Sequence, residues 1–345
     1  MDILQKAFDK ALVSALKELE EPIDEEKIQE VVESTFNSTI PQMTEKVLKK
    51  LKESAPKMLL ERRSLSAAFT ERNMRRWSKG FDLLEMLIIM CTEAGDAFNK
   101  FYRPHAVKIQ DIVFDVLVRM HARACHISSE ILCLLKNGFA DGAHARWRAL
   151  HEVVATAFFI AKHGQQAAER FSAHEIVESW KGMGQHNRYK DRIKEKPFSE
   201  AEIDKCKSRY DKAIAKYGVD FGNPYGWASL FLSIKSPKFS DIEADVNFDH
   251  MRPRYKWASQ NVHANVKGIR NKLGLCETKE DILLVGQSNS GMTDPAHATA
   301  ISLSQVTTVL LNIEPNIDRI VTLNMIMAII DEVGDAFLNA DQVDS

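Results

Sequence analysis

The chain has 345 residues, 45% of them hydrophobic and 27% charged, enough for one large domain or two small ones. A net charge of -2 and a pI near 6.6 exclude a global pull toward nucleic acid or anionic membrane, and 15 Gly with 10 Pro are too few breakers for an all-β or disordered protein. Five scattered cysteines (Cys91, Cys125, Cys133, Cys206, Cys276) without a CxxC pair exclude zinc-ribbon and thioredoxin-type chemistry and point to a reducing, cytoplasmic setting.

The opening Met1-Asp2-Ile3 has no basic-then-apolar leader pattern. Ile3, Leu4, Phe8, Ala11, Leu12, Ala15, Leu16 and Leu19 then recur at helical spacing, and Pro22 is expected to end that helix. A second helix is expected over Glu25 to Phe36. A third opens at Pro41, carries Lys49, Lys50 and Lys52, and stops before Pro56. Residues 1–75 thus read as a helical extension whose amphipathic faces suit a second copy or another protein. The cluster Arg72, Arg75, Arg76 and Lys79 suits contact with phosphates, and a solvated helix face is its plainer reading.

A main domain is expected over 76–345. Its helices run from Ser66 to Asn99, from Val107 to Lys136 after Pro104, and from Ala143 to Lys162 after the stop signal Asn137-Gly138. Gly164 separates a more polar helix to Lys181, and Glu200 to Tyr217 adds another. Residues 218–250, rich in Gly, Pro, Trp and Phe, form an irregular aromatic segment, a length of loop that usually packs over something. Helix resumes from Pro253 to Leu273, Asp281 to Gly291 is the one strand-like stretch, and helices from Asp294-Pro295 to Asn312 and from Pro315 to Asn339 complete the chain. No apolar run approaches the ~20 residues of a membrane span. The fold class is all-α, a mainly antiparallel helical bundle.

Between Asp115 and Glu152, two apolar helices carry polar stripes. Positions three, four and seven apart share a face, so Asp115, Arg119, Arg123, His126 and Glu130 line up on the first, and His144, Arg148, His151 and Glu152 on the second. A short antiparallel turn brings Glu130 level with Arg148, and Arg123 or His126 level with Glu152, so ion pairs are expected there. Such pairs either fix helix register or build a site in which Arg148 binds phosphate, His151 moves a proton and Glu152 orients it. His174, followed by Glu178 one turn on, is a further candidate for that cleft. Tyr255, Ser259 and His263 follow at four-residue steps on one later helix. His263 is an assisting group in the reactive reading, and a capped core helix is the plain one.

HExxH, Glu-x-x-His, a dinucleotide fingerprint and a Walker A sequence are all absent. His126, His151, Glu152 and His174 offer metal-ligand types without diagnostic spacing, so no metal or other cofactor is expected.

The run Leu134-Leu-Lys-Asn-Gly-Phe-Ala-Asp-Gly-Ala-His-Ala-Arg-Trp-Arg-Ala-Leu-His-Glu152, followed by Phe159-Ile-Ala-Lys-His-Gly164, Ala168-Glu-Arg-Phe171 and His174, resembles a bacterial family, domain of unknown function 5677. The likeness is read from about Ile112 to Leu311, with Tyr255, Ser259 and His263 as a later landmark. It implies an intracellular bacterial helical protein and brings no activity with it. A more distant analogy is to the HEPN helical ribonucleases, whose signature sets Arg four to six residues before His. Arg146 to His151 and Arg119 to His126 have that form, but Trp147 and Met120 stand where a polar residue usually follows the Arg. Two functions follow. One is an RNA- or nucleotide-directed hydrolase of a defence or stress pathway. The other is a non-enzymatic interaction or scaffold protein whose polar stripe is structural.

Overall fold

The computed structural model describes residues 3–18 and 24–342. Leu19 and Pro22, expected at the end of the first helix, lie outside the described residues. The chain divides into two units, Met1–Phe69 and Thr70–Ser345. The described residues contain helices and no strand, as the all-α reading expects. None of their helices is long and apolar enough to cross a membrane.

In the first unit, α1 (Ile3–Lys17) is followed by α2 (Glu25–Arg76), whose last turns belong to the second unit. The expected breaks at Pro41 and Pro56 do not occur, because both prolines lie inside α2 on its exposed side. There, water can take the carbonyl that each missing N–H frees, so the helix continues. Packing sets the real break at Trp77. Its indole is 1% exposed, stacks on Phe337 at 5.6 Å and donates Nε1–H to the Asn289 carbonyl at 2.9 Å.

The second unit is built on α3 (Ser78–Ile109), α4 (Ile112–Lys136), α5 (Ala140–Ala173), α12 (Thr293–Leu311) and α13 (Ile317–Gln342). Pro104 sits exposed within α3, so the expected gap between the first two moves to Gln110-Asp111. Gln110 turns left-handed at φ 55°, and the Asp111 carboxylate accepts the Phe114 N–H at 2.9 Å, capping α4. The stop signal Asn137-Gly138 works as expected, with Gly138 at φ 80°. Asn73 reinforces it by donating to the carbonyls of Leu135 and Lys136, both at 2.9 Å. The tight link that follows lays α5 antiparallel against α4. Gly164, at φ 68° and ψ -151°, breaks α5 without ending it, and His174 joins α5 to α6 (Glu175–Ile193).

The helix α7 (Glu200–Tyr217) begins in a capping box between Ser199 and Glu202. Residues 218–250 are irregular, holding only short turns of helix, α8 (Ser229–Leu232) and α9 (Phe239–Asp245) among them. The helix expected over Pro253 to Leu273 is cut to α10 (Arg252–Gln260) and the single turn α11 (Val266–Arg270). Asp281 to Gly291 forms no strand.

Trp147, fully buried on α5, ties that helix to α12 by donating Nε1–H to the Ala298 carbonyl and the Ser302 hydroxyl, each at 3.0 Å. Where α3 crosses α4, only a glycine fits. A Cβ on Gly95 would stand 2.3 Å from Cε1 of His121. That imidazole is 3% exposed, bonds Thr307 Oγ1 on α12 at 3.0 Å, and is held by burial at a pKa of about 4. A histidine with its folded pKa below the ordinary value must enter the fold neutral. Its contribution is therefore complete above about pH 6.5 and lost as pH falls through that value toward 4. Lowering pH from 7.5 to 5 should cost about 2 kcal/mol at His121. Comparing Tm at the two pH values, His121→Asn is expected to lose less on acidification than the native chain, and equal losses would refute this origin.

Candidate functional site

On α4 the apolar residues Phe114, Leu117, Ala124, Ile127, Ile131 and Leu135 take the core side. The polar stripe of α4 therefore faces out rather than toward α5, since a buried charge needs a partner and a solvated one does not. Arg119 is exposed and paired with Asp115 at 2.9 Å, which also receives Arg103 at 3.2 Å. His126 pairs along the same face with Glu130 at 3.3 Å, and Arg123 is exposed. The expected rungs between Glu130 and Arg148, and between Glu152 and Arg123 or His126, are not made. Glu130 instead receives Arg146, the arginine on the opposite side of α5 from Arg148.

The stripe on α5 faces the irregular segment and α10. His151, 2% exposed, lies 2.9 Å through Nε2 from Oε1 of Glu243 on α9. The ring nitrogen that faces a carboxylate carries the proton and donates it. Glu243 is fully buried and takes its second partner, Arg252, on the other oxygen. Nearer the surface, the adjacent Glu152 accepts from Arg148 at 3.0 Å and from the Tyr255 hydroxyl, while Arg148 donates Nε–H to Ser259 Oγ at 3.0 Å. Ser259 in turn donates to the Tyr255 carbonyl at 2.8 Å. The guanidinium carbons of Arg148 and Arg252 stand 4.7 and 5.0 Å from the Tyr255 ring centre. Burial first, and then the bond to Glu152, raise the Tyr255 phenol above its ordinary range, so it stays a donor. Tyr225 is raised as well, by burial and then by the charge of Glu152.

Four of the expected residues, Arg148, Glu152, Tyr255 and Ser259, thus form one bonded group, with His151 behind it. His263 does not join them. The helix carrying Tyr255 and Ser259 ends at Gln260, which leaves His263 exposed beyond its last turn. His174 lies elsewhere, 5% exposed against Phe221 and bonded through Nε2 to the Asn223 carbonyl at 2.9 Å, and Glu178 is 4.0 Å from its other nitrogen. His126, His151, Glu152 and His174 do not converge on one point, and among the described residues no group of three metal-ligating side chains does.

Residues that the sequence offered only as part of the family resemblance, and not as site candidates, complete the pattern. His163 bonds Asp245 at 2.9 Å, and Lys162 bonds the same carboxylate at 3.1 Å and the Asp245 carbonyl at 2.6 Å. Arg170 is 5% exposed and donates to the carbonyls of Trp227 at 2.9 Å and Gly226 at 3.1 Å, with its guanidinium over Tyr217 and Phe221. Along α5, then, Arg148, His151, Glu152, Lys162, His163 and Arg170 each hold part of the stretch from Tyr217 to Ser259. The available signal was the polar spacing of α5 itself, read against the aromatic loop instead of against α4.

Removing a partner from the buried members should be costly, because it strands charge or carbonyls away from water. In urea unfolding, Glu243→Ala is expected to lose about 3 kcal/mol by leaving the buried His151 N–H without its acceptor, whereas Glu152→Ala, at a carboxylate about one-third exposed, loses about 1 kcal/mol. Equal small losses would show that Glu243 holds nothing in place. Arg170→Leu should cost about 3 kcal/mol by the same measurement, and a loss below about 1 kcal/mol would mean that water replaces the guanidinium at the Gly226 and Trp227 carbonyls.

No curated protein and no solved structure matches the chain. One family model does, over residues 114–281, from the start of α4 through the irregular segment to just past α11; it stops short of Leu311, where the likeness was expected to end. The match contains the whole polar face of α5 together with everything that face holds. The segment 114–281 therefore carries the domain described as "Family of unknown function (DUF5677)".

Proposed function

We propose that this is a non-enzymatic interaction protein, in which the α5 network is structural and the helical first unit carries the docking surface. The observation that carries this reading is the apolar surface of that unit. Along one face of α2, Leu48 is 45% exposed, Leu51 51%, Met58 43% and Leu65 63%. Scattered exposed apolar residues are ordinary, but a run of them along one helix marks a surface meant for a partner. The polar group on α5 supports the same reading from the other side. Its carboxylates are paired, and His151, the intended proton carrier, is shut away behind Glu243. The HEPN-like spacing finds no support in the geometry either, since Arg146 and His151 take different partners on different sides of α5.

A hydrolase reading keeps one observation in its favour: Arg148, Glu152 and Arg252 are each about one-third exposed or less and meet at the surface beside Tyr225 and Tyr255. In that reading Arg148 binds phosphate and Glu152 handles the proton, with no part for His151 or His263.

The two readings separate in one experiment on the full chain. The native protein and the folded variants Glu152→Gln and Leu48→Glu/Leu51→Glu are assayed for RNA cleavage and for retention of a purified protein partner, whether another copy of this chain or a different protein. We expect no cleavage by any of them, and retention by all except the double Leu variant. Cleavage by the native chain that Glu152→Gln abolishes, or retention unaffected by the Leu changes, would overturn the proposal.

A further inference from the structure

We infer that the occupant of the docking surface on the first unit is a second copy of this chain, laid antiparallel along α2; this rests on the interaction reading above. Phe8 of α1 meets Phe36 of α2 edge to face at 6.2 Å, and the two helices enclose a groove of about 520 Å³ between Leu4 and Phe8 on one side and Ile40, Met43, Val47 and Leu51 on the other. Beyond the groove, the exposed apolar positions of α2 continue through Met58 and Leu65, and Ile28 precedes it. Leu48, Leu51, Ala55, Met58, Leu65 and Phe69 fall at steps of three, four, three, seven and four, the heptad spacing of a seam that takes another helix, with Arg62 at the position between Met58 and Leu65.

Charge decides what that helix is and which way it runs. The start of α2 is acidic, with Asp24 just before it and Glu25, Glu26, Glu30 and Glu33 within it against Lys27. Its middle is basic, with Lys49, Lys50, Lys52, Lys57, Arg62 and Arg63 against Glu53 and Glu61. All of these side chains are exposed. A parallel copy would set acid on acid and base on base. An antiparallel copy sets the acidic end of each chain over the basic stretch of the other, twice, as a two-fold interface requires.

Sedimentation of the full-length chain over a range of concentrations tests this. The native protein should sediment at twice its 39.1 kDa mass, and Leu48→Glu/Leu51→Glu, with unchanged circular dichroism, as a monomer. Orientation is read from charge reversal at low ionic strength. Glu30→Lys/Glu33→Lys should weaken the dimer by about tenfold or more, and adding Arg62→Glu/Arg63→Glu should restore it to within about threefold. A parallel pair would not respond to the first reversal, because like charges would face each other before and after, and that result overturns the inference. A native chain that stays monomeric yet retains a different purified protein through Leu48 and Leu51 also overturns it, while leaving the interaction reading standing. A monomer that retains nothing ends both.

Discussion

The second unit depends on one constraint: a long irregular stretch of backbone lies over a helix, and its polar groups must be satisfied where water does not reach. From Tyr217 to Ser259 the chain has only short turns of helix to bond its own carbonyls. The helix α5 supplies what is missing. Arg170 takes the carbonyls of Gly226 and Trp227, Lys162 that of Asp245, and His151 holds the buried carboxylate of Glu243, whose other oxygen takes Arg252 of α10. A charged group in such a place is stable only when all its partners are present. The network therefore specifies one position for the loop, and aromatic contacts such as Phe159 on Trp227 at 5.3 Å fill the space between.

The bundle beneath follows a different rule, close approach. Gly95 lets α3 meet His121, and Gly334 does the same for His297 on α12, where an added Cβ would stand 2.9 Å from Nε2. Imidazoles in such contacts are of use only when neutral. Burial lowers His121 and His144 to about 4 and depresses His297 as well. The buried thiols behave likewise: Cys91 is pushed up to about 12 by burial, which makes it a small apolar filler rather than a nucleophile. Neither the histidines nor the thiols of this core are groups poised for reaction.

The first unit differs from the second in how it treats apolar side chains. The bundle encloses a core of large ones, Phe81, Phe114, Trp147 and Phe337 among them at 1% exposure or less, even though Phe101 on α3 and Met325 and Met327 on α13 stay exposed. On α1 no residue is buried, and on α2 leucines remain open to water along much of the helix. Two helices cannot enclose a core between them, so such a unit keeps an unfilled apolar side by construction. The proposed function and the antiparallel pairing are both answers to that leftover surface.

Helical periodicity, the Asn137-Gly138 stop, the break at Gly164 and the start of α7 were all legible in the sequence, because each depends on bonds within a turn or two of chain; Asp294-Pro295 marked the first turn of α12, but Met292 and not Asp294 stands at its N-cap. The bonding of Arg148 and Glu152 to Ser259 and Tyr255 was not legible, because four-residue spacing groups residues on each helix without saying which helices meet. What periodicity could not give was the direction in which each face looks. The stripe of α4 and the stripe of α5 have the same spacing and similar residues, yet one is solvated and the other is covered, since burial is assigned by what packs on a helix and not by the helix itself. The prolines of α2 and α3 failed as breakers for the same reason: a lost hydrogen bond on a wet face is repaired by water. Glu243, the anion on which the buried network turns, sits in a segment with no periodic signal, and only the tertiary fold could bring it 2.9 Å from His151.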